Sequence, residues 1–288
     1  MAKQTVGRTA LGAATCRLIE QYQPDTTRLF DDPVVKELVG STIRFLMQFA
    51  AMRRLTITQT EAVARGLFGA QICRARYIDD SVQAALDQGG KQVVILGAGL
   101  DTRPYRLPAM ECARVFEVDL PGVQKNKVKK IEKYLGHLPE YVTFIPIDFD
   151  TQNLESVFAE TSFDQSKQAV FTWEGVTQYI TEGAVRRTLA FVGKSAPGSI
   201  LVFTYVLKSV IERRSDILDA DHLMDAVAHD SPFIFGLEPS EIPAFLKPFH
   251  LKLIDDVGNT YYQEKYLKPI GRKLRVSEAE RIAYAIIK

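Results

Sequence analysis

The stretch "VVILGAGLDTRPYRL", residues 93–107, decides the fold. An apolar run ends in Gly-Ala-Gly, as a strand does when it delivers a ligand-binding turn at its carboxyl end. Gly97 and Gly99 give that turn positive-φ freedom and close backbone approach. A dinucleotide fingerprint would place a third glycine at position 102, where this chain has Thr102. Pro104 and Pro108 crowd the helix that follows, so no long helix is expected with its N-terminus on a pyrophosphate. The turn points to a ligand without one.

Outward from this turn, short apolar runs alternate with helical segments. Residues 92–97, 114–119, 142–148, 168–175 and 199–206 read as buried parallel strands, and 250–258 and 280–288 as two more. Between them lie 121–136, read as a solvated lysine-rich helix, and 181–198. The expected fold class is α/β, a seven-stranded doubly wound sheet in a single domain of residues 1–288. Residues 1–88 read as an N-terminal helical cover, in which Asp31-Asp32 caps a helix with Pro33 in its first turn. The stretch 58–86 continues as helix, broken at glycine. Residues 89–206 form the cofactor-binding core, 207–249 a helical insertion covering the substrate, and 250–288 the C-terminal strands.

The chain has 288 residues, 46% of them hydrophobic, enough for a sizeable core. Lys plus Arg is 36 and Asp plus Glu is 35, so no global basic field points to nucleic acid or an anionic membrane. Cys16, Cys73 and Cys112 are odd in number and far apart, which fits a reducing compartment rather than a disulfide scaffold or a zinc site. The uncharged stretch between Arg8 and Arg17 is too short for a signal-peptide core. No apolar run approaches the roughly 20 residues of a membrane span. A cytoplasmic protein is expected; its oligomeric state stays open.

Acidic residues follow the strands at the ligand end. Asp119 closes "VFEVD", placed to accept from both ribose hydroxyls of an adenosine. NAD and S-adenosylmethionine sites share this device. Asp148 follows the third strand, in reach of an adenine amino group, and Glu174 follows the fourth. Each alone also reads as a cap or turn residue. Together with the glycine turn they describe a nucleoside crevice.

These residues carry a resemblance. The chain resembles the leucine carboxyl methyltransferase-like family of S-adenosylmethionine-dependent O-methyltransferases over nearly its whole length. "GRTALGAATCRLIE", "LFDDPVV", "CRARYIDDSV", "VVILGAGLDTRPYRL", "VFEVDLPGVQKNK", "EGVTQYI" and "EKYLKPIGRKLRVSEAERIAYA" carry it. The resemblance implies a class I, Rossmann-like methyltransferase fold with S-adenosyl-L-methionine as cofactor. It implies Arg74 for the cofactor carboxylate, Gly97 and Gly99 beneath the methionine part, and Asp119 for the ribose. Asp148 and Phe149 would take the adenine and Glu174 the amino group. Arg103 and Arg106 read as a structural ion-pair network beneath the site. A side chain at Gly97 is expected to fill the cofactor's path.

Arg74 and Arg76 point about 200° apart on a helix, so only one faces the crevice, and the other is solvated or paired with Asp79 or Asp80; the resemblance selects Arg74 for the crevice. The acceptor is a small molecule, its pocket lying between the N-terminal helices, the insertion and residues 258–272. Tyr179, Phe233, Phe235, Tyr261, Tyr262 and Tyr266 are the candidate lining. A carboxylate acceptor needs no base; a hydroxyl does, and His222 is the candidate. No metal is expected, because His137, His222, His229 and His250 lack ligand spacing. The alternatives are a methyltransferase acting on a protein C-terminal carboxyl, an NAD(P)-dependent oxidoreductase using the Tyr261–Lys265 spacing, and a non-catalytic cofactor-binding module.

Overall fold

The computed structural model describes residues 2–228 and 232–288, with side chains in the first helix from Thr9 onward. Five helices precede the sheet: α1 (Ala2–Glu20), α2 (Val35–Leu38), α3 (Ser41–Leu46), α4 (Ala50–Val63) and α5 (Leu67–Asp87). The predicted break falls between α4 and α5, where Gly66 takes φ +84°. Pro33 stands ahead of the assigned α2, and Asp32 Oδ1 accepts the Val35 N–H at 3.0 Å.

The alternating part runs β1 (Gln92–Leu96), α6 (Arg103–Arg106), β2 (Arg114–Asp119), α7 (Pro121–Leu135), β3 (Val142–Pro146), α8 (Leu154–Phe158), β4 (Val170–Trp173), α9 (Glu182–Val192) and β5 (Ile200–Val206). After β5 come α10 (Lys208–Ile211), α11 (Ala220–Val227) and α12 (Ile242–Leu246), then β6 (Leu251–Val257), α13 (Asn259–Tyr262) and β7 (Glu280–Ile287). The strands form one seven-stranded sheet in the order β3-β2-β1-β4-β5-β7-β6. The first five are parallel, and β7 runs antiparallel between β5 and β6. This is the doubly wound α/β class. The order reverses between β1 and β4, and crevices form beyond strand ends at such a point.

Strand β1 shows how the sheet is held. Val93 and Ile95 face one apolar cluster, Val94 and Leu96 the other. The period-two alternation of a strand thus feeds two cores, which explains an unbroken apolar run. Helices α1 and α5 cover the first face; α8, α9 and α12 cover the second.

Helix α7 departs from its expected solvation. Gln124, Lys127 and Ile131 share an inner face and are buried. Lys127 Nζ meets Glu117 Oε2 of β2 at 2.8 Å, both side chains 1% exposed, and Tyr105 Oη donates to Glu117 Oε1 at 2.8 Å. Burial pushes the Glu117 carboxyl up, and Lys127 opposes it. Removing one partner of such a pair strands the other charge. Lys127→Met is expected to cost about 3–5 kcal/mol in urea unfolding. Lys129→Met, two residues on and exposed, should stay within about 0.5 kcal/mol of wild type.

Candidate active site

The glycine turn is pinned to the end of β2. Gly97 and Ala98 N–H both donate to Val118 O, at 2.7 and 2.9 Å. Gly99 N–H donates to Asp119 Oδ2, and Leu120 N–H to Asp119 Oδ1 at 2.6 Å. Two backbone donors thus orient the carboxylate. Burial pushes its pKa up, against those N–H groups. Gly97 and Gly99 take φ +71° and +42°. A Cβ at Gly97 would lie 2.2 Å from Val176 Cγ2, so the closeness it serves is to the chain after β4. That corrects the expectation that a side chain there first meets a ligand. Where a third glycine would stand, Thr102 is fully buried and donates to Asp32 Oδ2 at 2.7 Å. A hydroxyl straps the turn to the N-terminal region.

Beneath the turn lies Arg103, wholly buried. Its Nε donates to Asp79 Oδ1 at 2.7 Å, and its Nη1 to Asp101 Oδ2 at 2.7 Å and Glu174 Oε2 at 2.8 Å. Arg106 Nη2 reaches the same Asp79 oxygen at 2.7 Å. This is the ion-pair network expected of the two arginines. Arg74 joins it from α5: Nε donates to Glu174 Oε1 at 2.8 Å, Nη1 to both oxygens of Glu280 at 2.9 and 2.6 Å, and Nη2 to Gln71 Oε1 at 2.8 Å. Arg76 turns away, to Asp80 Oδ1 at 2.8 Å and to Leu29 O. Burial opposes the charge of Glu174, yet Arg103 and Arg74 outweigh it and hold its pKa down at about 2.

One cavity of ≈ 570 Å³ opens over this network. Arg74, Gly97, Gly99, Asp119, Asp148, Phe149 and Glu174 all line it, as do Tyr179 and Phe233. Sequence reasoning missed Arg17, Asp101 and Glu280, which line it too. Arg17 donates from Nη2 to Leu100 O at 2.6 Å. Glu280 opens an antiparallel strand, and its register partner is Val206 at the carboxyl end of β5. The signal was an acid at the start of the last strand, which antiparallel pairing carries to the ligand end.

Other candidates lie elsewhere. Phe235 packs in the second core against Phe245, ring centroids 5.8 Å apart. Tyr261, Tyr262 and Tyr266 cluster behind α5: Tyr77 and Tyr261 meet edge to face at 5.5 Å, and Tyr266 Oη donates to Asp80 Oδ2 at 2.9 Å. They brace α13 on that helix and do not line the cavity. Lys265 is exposed, so the Tyr261–Lys265 spacing forms no site there. His222 is corrected as well. Its side chain is 71% exposed, 3.6 Å from Asp219, because Leu223 and Val227 take the cavity face of α11. His229 lies outside the described residues.

A profile described as leucine carboxyl methyltransferase matches residues 10–193. The chain belongs to the leucine carboxyl methyltransferase family. Within reach of the family, it is 30% identical over 84% of its length, and 82% of the relative, to a Mycobacterium sp. (strain KMS) protein. It is 32% identical to a Streptomyces coelicolor protein, over 72% of each chain. Both are provisionally named S-adenosyl-L-methionine-dependent methyltransferases. Among solved structures, one from Thermobifida fusca YX, described provisionally as a methyltransferase, aligns with TM-score 0.63 at 17% identity, covering 88% of this chain and 93% of that one. A duf574 family protein from Streptomyces avermitilis aligns with TM-score 0.57 at 13% identity, covering 94% of this chain and all 100% of that one. These share the family's fold.

The Glu174 geometry sets an acid dependence. Its folded pKa of about 2 lies below its ordinary 4.5, so the stability it contributes is complete above pH 4.5 and lost as pH falls toward 2. Glu174→Gln is expected to unfold about 1–3 kcal/mol more easily at neutral pH, leaving two arginines short of a partner. Thermal melts across the acid range should show the gap to wild type closing below pH 4.5.

Proposed function

We propose that this chain, an S-adenosyl-L-methionine-dependent methyltransferase, methylates an oxygen of a small molecule. The observation that carries the reading is the single cavity joining the Gly97–Gly99 turn to the acids after β2, β3 and β4. Its volume suits a ligand of cofactor size. Its donor set suits a nucleoside amino acid bearing a sulfonium: carboxylates for hydroxyls and an ammonium, an arginine for a carboxylate.

Asp119 would hold the ribose, Asp148 and Phe149 the adenine edge and face, Glu174 the amino group and Arg74 the carboxylate. All three Arg74 nitrogens are bonded within the protein, so a ligand carboxylate held face-on there would exchange with Glu280 or Gln71. When bound, S-adenosyl-L-methionine supplies an electrophilic methyl group open to in-line displacement, which calls for no metal. The protein's share is alignment of the reacting groups in the cavity, an effect that reaches about 7–11 kcal/mol at best. Tyr179 and Phe233 face the acceptor. The work falls on fixed geometry, with His222 too far out in solvent to serve as a base.

The proposal extends to a cytoplasmic enzyme acting on small molecules rather than on nucleic acid or membranes. Among the described residues no helix is long and apolar enough to cross a membrane.

Calorimetric titration tests the cofactor reading. S-adenosylhomocysteine should bind and NAD should not. Arg74→Lys should weaken binding at least tenfold, about 1.4 kcal/mol, because a lysine cannot give paired hydrogen bonds to a carboxylate. Arg76→Lys should leave it unchanged. Turnover of labelled methyl on metabolite extracts should yield methyl ethers or esters; label on nitrogen alone would contradict the oxygen acceptor.

A further inference from the structure

Arg74 meets the cavity with all three of its nitrogens engaged. Nε donates to Glu174 and Nη2 to Gln71, each at 2.8 Å, and Nη1 to both oxygens of Glu280 at 2.9 and 2.6 Å. The three partners are not equally fixed. Glu174 also accepts from Arg103 on its other oxygen at 2.8 Å, so a second guanidinium keeps it in place. Gln71 is uncharged and stands a turn before Arg74 on α5. Glu280, the first residue of β7, has Arg74 as its one ion-pair partner among the described residues. It places both oxygens on a single nitrogen, whereas the strong pairing of a carboxylate with a guanidinium spans two.

The Nη1–Nη2 edge of Arg74 faces Gly175, which takes φ +66° and lines the cavity. A Cβ there would lie 3.7 Å from Nη2 and 3.9 Å from Nη1, so the glycine leaves that edge bare of a side chain from the strand end. A ligand carboxylate reaching this edge arrives beside Glu280. Two anions on one edge of one guanidinium repel, and burial strengthens the repulsion. One of them has to leave, and Glu280 is the one without a second cation. Donors stand near it. The Tyr179 and Tyr262 phenols are both pushed up, by burial first and then by the charge of Glu280, so two neutral O–H groups lie within reach of that charge.

We propose that Glu280 is a positioning residue that competes with the cofactor: its carboxylate holds the Arg74 guanidinium in the cavity wall and gives way to the carboxylate of S-adenosyl-L-methionine. The inference rests on the cofactor reading above and adds a consequence to it. A ligand carboxylate replaces a like group instead of meeting a free cation, so part of its binding energy goes into the exchange. The measured affinity is then lower than Arg74 alone would give, by the fraction of molecules in which Glu280 has moved aside. A ligand without a carboxylate leaves the Arg74–Glu280 pair intact and escapes that loss.

Two ligands with one nucleoside test it: S-adenosylhomocysteine, which has the amino-acid end, and methylthioadenosine, which lacks it. Both are titrated by calorimetry at neutral pH into the full chain. Glu280→Gln and Glu280→Ala each remove the competitor. Both variants are expected to bind S-adenosylhomocysteine at least about threefold tighter than wild type, with methylthioadenosine unchanged to within about twofold. Measured without ligand, both should melt at a lower temperature than wild type, because Arg74 is left short of a partner. Affinity and stability then move in opposite directions, which an acid with a purely structural role would not produce. Unchanged or weaker binding of S-adenosylhomocysteine in both variants overturns the inference, and so does an equal gain for the two ligands. A gain in Gln71→Leu with none at Glu280 assigns the exchange to Gln71 and overturns it as well. In each of these cases the cofactor reading stands. Failure of S-adenosylhomocysteine to bind wild type brings down the cofactor reading and this inference with it.

Discussion

Arg103 is the constraint on which the site depends. A guanidinium with no exposure has to be met by acids, and its acids come from three separate pieces of chain: Asp79 on α5, Asp101 after the glycine turn and Glu174 after β4. Desolvation disfavours every charge in the group, and the mutual attraction outweighs it. Asp101 is held well below the usual carboxylate range, and Glu174 at about 2. Buried ion pairs are weak sources of net stability. What this one does is position. It fixes the covering helix, the turn and the strand end relative to one another, so that Glu174 enters the cavity wall already ionised and oriented.

Asp119 is prepared by a different device. Among the described residues no salt bridge reaches it, and Lys127 acts on it only from a distance. Two backbone N–H groups, from Gly99 and Leu120, set the carboxylate at the strand end. The turn that gives one of those N–H groups is itself held by Val118 O and strapped by Thr102 to Asp32. The departure from a dinucleotide fingerprint thus has a structural meaning. The third glycine's place is taken by an anchor between the sheet and the N-terminal cover, and α6 stays one turn long.

Much of this was legible in the sequence because it follows from chain-local rules. Short apolar-rich runs marked all seven strands to within a few residues, though the last two are interrupted by charge, and glycines marked the turn. Acids closing parallel strands fall at the ligand end by construction, which is why Asp119, Asp148 and Glu174 converge. What escaped depends on tertiary placement. Glu280 starts a strand, and only the antiparallel course of β7 brings it to that end. Lys127 reads as one solvated lysine among several until α7 docks on Glu117. The tyrosines of α13 and the π-helical turn Gln263–Leu267 have pocket-like composition, yet they pack behind α5. His222 and Leu223 are adjacent on α11 and about 100° apart around it, and only the docking of the helix tells which one lines the cavity.

The account's central claim is that one cavity holds the cofactor along the turn, with Asp119 at the ribose and the amino-acid end between Arg74 and Glu174. A crystal structure of the full chain with S-adenosylhomocysteine tests it most directly. The account predicts both ribose hydroxyls on the Asp119 carboxylate, and the ligand carboxylate on Arg74 in place of Glu280 or Gln71. Ligand density outside this cavity, or within it with the ribose away from Asp119, would contradict the account.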